Sequence, residues 1–368
     1  MISIMVAPSC GLLILAATTN VFAYDNLFAF DSVPEIENRT LEEIHKAALS
    51  EGGIVTCWHG GDEPNQQGFL KRLFEERFPG MTLNITVDLS KYHDGRLDEQ
   101  LANSNVHVDS VILQTLHDFP RWENQGALLN YAPLGFDAID GAYKNAATAA
   151  YYGVYHLAWQ LFWSPPKLPN ITIREFDDFL RPELKNKIVL TYPNDDDAVL
   201  FAFDLILQRH GIEWLDALLA QNPRWVRGTG TAVTLILTPN RTEAATFTSF
   251  TGFAPIPGSN YSFPTQTQFV TWPQTAAILK DAPHPEGAKL LHSFVLSPEF
   301  QQMRGWPVRH DVPVADNFSQ LPLKDIPSTN PAAFGRFMAD RGRVERLRFF
   351  LEDRIGSAQG LSPLVDDF

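Results

Sequence analysis

The sequence predicts an α/β protein of two lobes, each an open, mostly parallel sheet flanked by helices. Three observations lead there. The first third of the chain alternates strand and helix as β-α-β-α-β, the pattern of a parallel sheet with helices on both faces. The alternation stops and starts again near residue 153. The chain has 368 residues, enough for two cores of ordinary size.

Residues 41–49 (LEEIHKAAL) read as a helix. Thr40 precedes it and Glu43 lies three residues on, the pairing of a capping box, and Gly52-Gly53 stops it. Residues 54–58 (IVTCW) are a short apolar run between glycines, hence a buried strand. After the turn 59–65, residues 66–77 form an amphipathic helix with Phe69, Leu70, Leu73 and Phe74 on one face. Pro79-Gly80 ends it, and residues 83–87 are the second strand. Residues 97–102 are helical, and 109–113 (DSVIL) are a third buried strand. In such sheets ligands bind at the carboxyl ends of the strands. Those ends carry Trp58, His59 and Asp62, then Ser90, Lys91 and Tyr92, then Gln114, Thr115, His117 and Asp118.

The second block opens with residues 153–162 (GVYHLAWQLF), a strand-like run ending at Pro165-Pro166. A short helix over 173–180, a strand over 187–190 and a helix over 198–209 follow, with Gly211 as its cap. Residues 212–220 are helical. Arg227-Gly228-Thr229-Gly230-Thr231 is a loop entering a helix or strand over 232–237. Residues 269–278 return as a strand, and 285–296 and 298–303 are helices. Phe334, Phe337, Met338, Leu347, Phe350, Leu351 and Ile355 recur at helical spacing, with arginines between them as a solvated face.

The ends and the composition bound the function. Residues 11–17 (GLLILAA) form a short apolar core, and Val21-Phe22-Ala23 has the small-x-small pattern of a cleavage site. Residues 1–23 are therefore expected to be a signal peptide, with the mature chain starting near Tyr24. No stretch is long enough to span a membrane. Cys10 falls in the signal, which leaves Cys57 alone and without an intramolecular disulfide. Asn-x-Ser/Thr sequons at Asn38, Asn84, Asn170, Asn240, Asn260 and Asn317 predict a secreted, extracellular glycoprotein. The net charge of −14 excludes a nucleic-acid partner, which needs a basic surface, and favours neutral or cationic ligands.

No motif for nucleophilic, phosphate-loop or zinc chemistry is present. Cys57, at the end of a buried strand, reads as an inert core residue. The aromatic residues Trp58, Tyr92, Trp122, Tyr192 and Trp272 fall at predicted cleft positions and suit a small-molecule site, including a cationic one. Asp195, Asp196 and Asp197 follow the strand at 188–190 and precede a helix. One carboxylate serves as N-cap and another as dipole partner. Either capping alone accounts for the triplet, or at least one of the three faces a cationic group or a hard metal ion. Trp58, His59 and the loop 114–118 are its candidate partners across the cleft.

Several stretches together resemble a known family. They are "GGIVTCWHGGDEPNQQGFLKRLFEERFPGMTLNIT", "HVDSVILQTLHDFPRWENQGALLNYAP", "IVLTYPNDDDAVLFAFDLI", "WVRGTGTAV", "TWPQTAAILKDAPHPEGAKLLHSFVLSPEFQ" and "GWPVRHDVP". They cover most of the mature chain and resemble extracellular solute-binding proteins of ABC importers, with the type II periplasmic-binding-protein-like fold, in the iron(III), thiamine or polyamine branch. The sequons and the resemblance imply a fungal secreted version. The resemblance implies two lobes joined by a hinge, lobe 1 being 35–151 plus 275–368 and lobe 2 being 152–274. It also implies a non-enzymatic, monomeric binder, without cofactor, that clamps a small cationic or neutral molecule or a metal ion. The expected ligand-binding residues are Trp58, His59, Asp62, Tyr92, Gln114, Thr115, His117, Tyr192, Asp195, Asp196, Asp197, Arg227 and Trp272. Iron binders of this kind use adjacent tyrosines in the second lobe. The adjacent pair here, Tyr151-Tyr152, falls at the crossover, so the iron site does not carry over. The rival readings are a secreted enzyme using the same cleft and an extracellular protein-interaction factor with a vestigial one.

Overall fold

Strand β1 (Glu35–Ile36) and helix α1 (Leu41–Glu51) open the described part of the chain. The computed structural model describes residues 33–316 and 318–366. The expected signal peptide, the cleavage point before Tyr24, Cys10 and the Asn317 sequon lie outside the described residues. The capping box forms: Thr40 Oγ1 accepts from the Glu43 amide at 3.2 Å, and the Glu43 carboxylate accepts from the Thr40 amide at 2.8 Å. Two donors that a helix start otherwise leaves open are thereby satisfied.

Strand β2 (Ile54–Gly60), helix α2 (Gly68–Arg77), strand β3 (Thr82–Asp88), helix α3 (Ser90–Ala102), strand β4 (Ser110–Leu113) and helix α4 (Asp118–Asn124) complete the first alternation. β2 pairs in parallel with both β3 and β4. Side chains alternate across the sheet. Val55, Cys57 and Ile112 enter one core with Ile44 and Phe74. Val111 and Leu113 enter the core on the opposite face with Leu97, Phe119 and Trp122. Cys57 is fully buried, and burial pushes its thiol up to about 12. Helix α3 starts well ahead of the expected Leu97, because its first turns, Ser-Lys-Tyr-His-Asp-Gly, carry no apolar stripe. Phe69 is exposed, while Leu70 and Phe74 alone fill the expected apolar face of α2 with buried side chains.

Strand β5 (Tyr131–Ala132) pairs with β1. The run expected as one strand is two, β6 (Tyr152–Ala158) and β7 (Gln160–Trp163), broken at Trp159. The second block contains β8 (Val189–Thr191), α5 (Asp197–His210), α6 (Ile212–Ala220), β9 (Arg224–Val226), α7 (Thr229–Leu237), β10 (Ala245–Ser249), β11 (Asn260–Ser262) and β12 (Thr271–Ile278). β6 and β12 join the first sheet, whose order is β3-β2-β4-β12-β6, with β12 antiparallel to both neighbours. β7 instead enters a second sheet, β10-β7-β11, and β8 pairs in parallel with β9. The chain therefore passes from one sheet to the other at Trp159 and returns at the start of β12.

Helices α8 (Pro285–Val295) and α9 (Pro298–Met303) come next. Leu290, Leu291, Phe294 and Phe300 pack in the first block's core. Helices α10 (Ala333–Ala339) and α11 (Arg341–Ile355) do otherwise. Phe334, Phe337, Met338 and Leu351 share the second block's core, and Phe337 meets Phe201 of α5 with ring centroids 4.9 Å apart. These helices pack against the core of the second block, within the segment 275–368 expected in lobe 1. The arginines of α11 are tied down as well as solvated: Arg343 pairs with Asp204 at 2.7 Å, Arg348 with Asp197 at 3.0 Å and Arg354 with Asp216 at 2.7 Å.

Candidate functional site

The carboxyl ends of β2 and β4 face the N-termini of α5 and α7 across a crevice, with the strands that join the blocks as its floor. A cavity of about 100 Å³ lies there. Gly60, Gly61, Asp62, Ser90, Lys91, Gln114 and Thr115 line it from the first block, and Asp195, Asp196, Asp197, Thr229 and Phe250 from the second. Leu157, Trp159, Trp272 and Gln274 form the floor.

The three consecutive aspartates each have a separate task. Asp196 is the N-cap of α5: its Oδ1 accepts from the Val199 amide at 2.8 Å and from Gln114 Nε2 across the crevice at 3.1 Å. Burial raises its carboxyl to about 6. Asp197, in the first turn, pairs with Arg348. Asp195 accepts from Arg227 Nε at 2.8 Å and contacts the Lys91 ammonium of the first block, which also donates to the Asp195 carbonyl at 2.7 Å. Arg227 in turn donates to the Tyr92 hydroxyl at 2.8 Å. The cationic partner expected for a third aspartate is thus present, but it is the chain's own. Asp195 and Asp197 are paired with cations of the chain, while Asp196 is held by hydrogen bonds alone. Among the described residues, no group of three or more His, Cys, Asp or Glu side chains is placed to hold a metal ion.

Helix α7 begins at Gly228 with no side-chain cap of its own. Asp62 supplies one from the opposite block. Its Oδ2 accepts from the Thr229 amide, from Thr229 Oγ1 at 2.7 Å and from the Gly230 amide at 3.1 Å. The approach is close: a Cβ at Gly230 would stand 2.9 Å from the Glu63 side chain, which would have to move aside. On the floor, Trp159 and Trp272 pack edge to face with centroids 5.0 Å apart. Trp272 Nε1 donates to Gln274 Oε1 at 3.0 Å. Trp159 Nε1 is buried and has no acceptor among the described residues.

His59 lines a larger, adjoining cavity of about 1230 Å³, which shares Gly60, Gln66, Leu157 and Phe250 with the first. Its Nδ1 lies 2.7 Å from the Gly60 carbonyl. A carbonyl only accepts, so Nδ1 carries the proton and Nε2 accepts from the Tyr155 hydroxyl. Burial pushes the imidazole down to about 3, and it is neutral at physiological pH.

The structure therefore brings Asp62, Gln114, Thr115, Asp195, Asp196, Asp197 and Trp272 to the cavity, with Tyr92 and Arg227 in the bridge beside it. Three expected residues lie elsewhere. Trp58 alternates with His59 along β2, so it points to the other face and stacks on His93 at 5.0 Å. His117 sits 3.6 Å from Asp118 and lines a separate cavity with Tyr151 and Arg341. Tyr192 is buried against Trp225, with centroids 5.8 Å apart. Tyr151-Tyr152 does not face the crevice either, and the Tyr152 hydroxyl is buried 2.7 Å from His292 Nδ1. Lys91, Thr229, Trp159 and Gln274 were not among the expected ligand residues. Of these, Lys91 had a signal, its place at a strand end. The five described sequon asparagines, Asn38, Asn84, Asn170, Asn240 and Asn260, are all exposed. No helix among the described residues is long and apolar enough to cross a membrane.

Solved structures share this fold. The substrate-binding protein of an ABC transporter from Agrobacterium tumefaciens superposes with a TM-score of 0.68 at 15% identity, covering 84% of this chain and 97% of that one. AfuA, a periplasmic binding protein from Actinobacillus pleuropneumoniae solved with exogenous fructose-6-phosphate, gives 0.63 at 16% identity over 83% and 99%. Iron-bound HitA from Pseudomonas aeruginosa gives 0.60 at 14% identity over 81% and 99%. No curated protein sequence matches. A family model described as bacterial extracellular solute-binding protein matches residues 70–304, more than half of the chain. With two α/β blocks facing across a crevice and this match, the chain belongs to the family of bacterial extracellular solute-binding proteins.

Proposed function

We propose that the chain is a secreted, monomeric receptor that clamps one small polar solute between its blocks and performs no turnover. The observation that carries this reading is the cavity walled by both blocks and floored by the strands that join them. The floor carries one unspent group, the Trp159 indole N–H, which a solute satisfies with a hydrogen-bond acceptor. The hinge lies where β6 gives way to β7 and where β12 begins, stitched by the Trp159 amide donating to the Val270 carbonyl at 3.0 Å. Helices α10 and α11 travel with the second lobe. His59 is spent on Tyr155 and Gly60, so it offers no base to a nucleophile, and binding is favoured over catalysis.

Small-angle scattering on the chain with its co-purifying solute, identified by mass spectrometry, tests the clamp. The radius of gyration falls on saturation, and an unchanged value refutes closure. Trp159→Phe keeps an aromatic ring on the floor but removes the pyrrole ring with its N–H, so solute affinity drops about 5- to 10-fold. Secretion is tested in a eukaryotic secretory host. The protein reaches the medium, begins near Tyr24 and loses mass on glycan removal, whereas an unglycosylated intracellular product retaining Met1 refutes it.

A further inference from the structure

Arg304, the C-cap of α9, lines the larger cavity beside the crevice. Its guanidinium lies over the Tyr155 ring, 4.3 Å from the centroid. Tyr155 is itself fixed by its hydrogen bond to His59. The next residue, Gly305, has φ +93°, and a Cβ there would meet the Phe253 ring at 2.7 Å. The turn that aims Arg304 is therefore restricted to glycine and held by packing. Arg304 Nε is buried without a hydrogen-bond partner, and among the described residues the guanidinium has no ion pair. Burial lowers its pKa, and only Tyr155 works in the other direction.

This contrasts with the other arginines around the crevice. Arg227 is spent on Asp195, Arg348 on Asp197, and Arg309, from the same GWPVR stretch, on Asp311. The single carboxylate on the cavity wall, Glu299, is exposed and does not pair with Arg304. Partly withdrawing a cation from water without a counter-charge is costly, and the Tyr155 ring offsets only part of that cost. Guanidinium presents a planar fork that matches an oxyanion with two parallel N–H donors, while one face stays stacked on an aromatic ring. One face of Arg304 is on Tyr155, and the remaining donors border a cavity of about 1230 Å³, ample for a small-molecule ligand.

We propose that Arg304 is the anion subsite of this receptor, so that the bound solute carries a carboxylate or a phosphate ester that docks on its guanidinium. The proposal rests on the crevice being the solute site and names the solute's chemical class. It also reverses the expectation drawn from net charge. Asp195 and Asp197 are paired with cations of the chain and Asp62 and Asp196 cap helices, and the buried groups beside the crevice without a partner among the described residues, Trp159 Nε1 and Arg304 Nε, are both donors.

The test uses the secreted chain with potassium phosphate and with citrate as probes, followed by calorimetric titration and thermal melting. Phosphate, citrate or both bind the wild type and raise its melting temperature. A phosphate-only response assigns a phosphate ester, and a citrate-only response a carboxylate. Arg304→Met weakens that binding about 30-fold or more, and Arg304→Lys weakens it less. Without anion, Arg304→Met melts at or above wild type, because an unpaired charge has been removed. The proposal is overturned if neither anion binds the wild type, or if Arg304→Met binds them unchanged. It is also overturned if Arg304→Met melts lower without anion, which would make the residue structural. Scattering on the same samples separates this proposal from the clamp. An anion that binds through Arg304 without reducing the radius of gyration refutes closure alone. Anion-driven closure that persists in Arg304→Met refutes the subsite alone.

Discussion

Helices α5 and α7 both begin at the crevice, and the negative charge at their N-termini comes from different places. α5 carries its own: Asp196 caps it and Asp197 sits in its first turn. α7 begins Gly228-Thr229-Gly230 with no acid, and the carboxylate at its start is Asp62, 167 residues away in sequence and on the opposite block. Both arrangements satisfy amides that a helix leaves open and place charge favourably on the dipole. Only the second depends on the blocks having come together. The cap of α5 is therefore built within one lobe, although Asp196 also accepts from Gln114 across the crevice. The start of α7 is a contact between lobes, formed where an anionic ligand group would otherwise dock.

Removing Asp62 has the largest expected effect. In Asp62→Ala the Thr229 and Gly230 amides lose the carboxylate they donate to and are satisfied by water once the crevice opens. Charged hydrogen bonds of this kind contribute about 1.5–3 kcal/mol each, so the blocks separate, the radius of gyration rises and the melting temperature falls. Asp62→Asn keeps an acceptor and lies between. A scattering curve for Asp62→Ala identical to wild type would show that this contact does not hold the blocks together.

Changing Asp196 sharpens the other half of the comparison, because its cap acts on the stability of its own helix, while an amide oxygen in its place still accepts from Gln114 across the crevice. Burial raises its carboxyl from 3.8 to about 6. Between those values the folded state binds more protons than the unfolded one, so stability falls as pH rises through that window. The full cost, about 2–3 kcal/mol, is present above pH 6. Asp196→Asn still caps the helix but does not ionise. In urea titrations the variant is more stable than wild type at pH 7, and the difference shrinks to near zero below pH 4. A difference independent of pH would mean that Asp196 does not titrate in this window.

These pairs also show what could be read before the structure. The cap of α1 at Thr40, the acids ahead of α5 and the apolar runs of β2 and β4 were legible because each is decided by neighbours within a few residues. The strand ends were correctly read as one wall of the crevice, but Trp58 was chosen along with His59, although a strand turns adjacent side chains to opposite faces. The partners of charge were not legible. Nothing near Asp62 reports that it caps a helix beginning at Gly228, and nothing near Asp197 points to Arg348. Composition suggested a cationic ligand because it counts acids without their internal partners. Trp159 was hidden in an apolar run because the break there depends on which sheet each half joins. The C-terminal helices had the right period, but an apolar stripe does not say which block covers it.

Lys91 gives the smallest and most informative test, since it ties the start of α5 to the first block. It reaches from the first block to Asp195, just ahead of α5, and makes two contacts there: an ion pair with the carboxylate and a hydrogen bond to the carbonyl at 2.7 Å. Its side chain is 36% exposed, and Arg227 remains to pair with Asp195 in its absence. An ion pair this accessible contributes about 0.5–1 kcal/mol. Lys91→Met therefore lowers the melting temperature by about 1–3 °C at low salt. The two contacts respond differently to ionic strength. Salt screens the ion pair within about a Debye length, ~10 Å at 0.1 M, whereas the hydrogen bond to the carbonyl is short-ranged and much less affected. If the charge dominates, wild type and Lys91→Met converge as salt is raised. A gap that survives at high salt assigns the bridge to the carbonyl, and α5 is then joined to the first block through its backbone, not through the acid that precedes it.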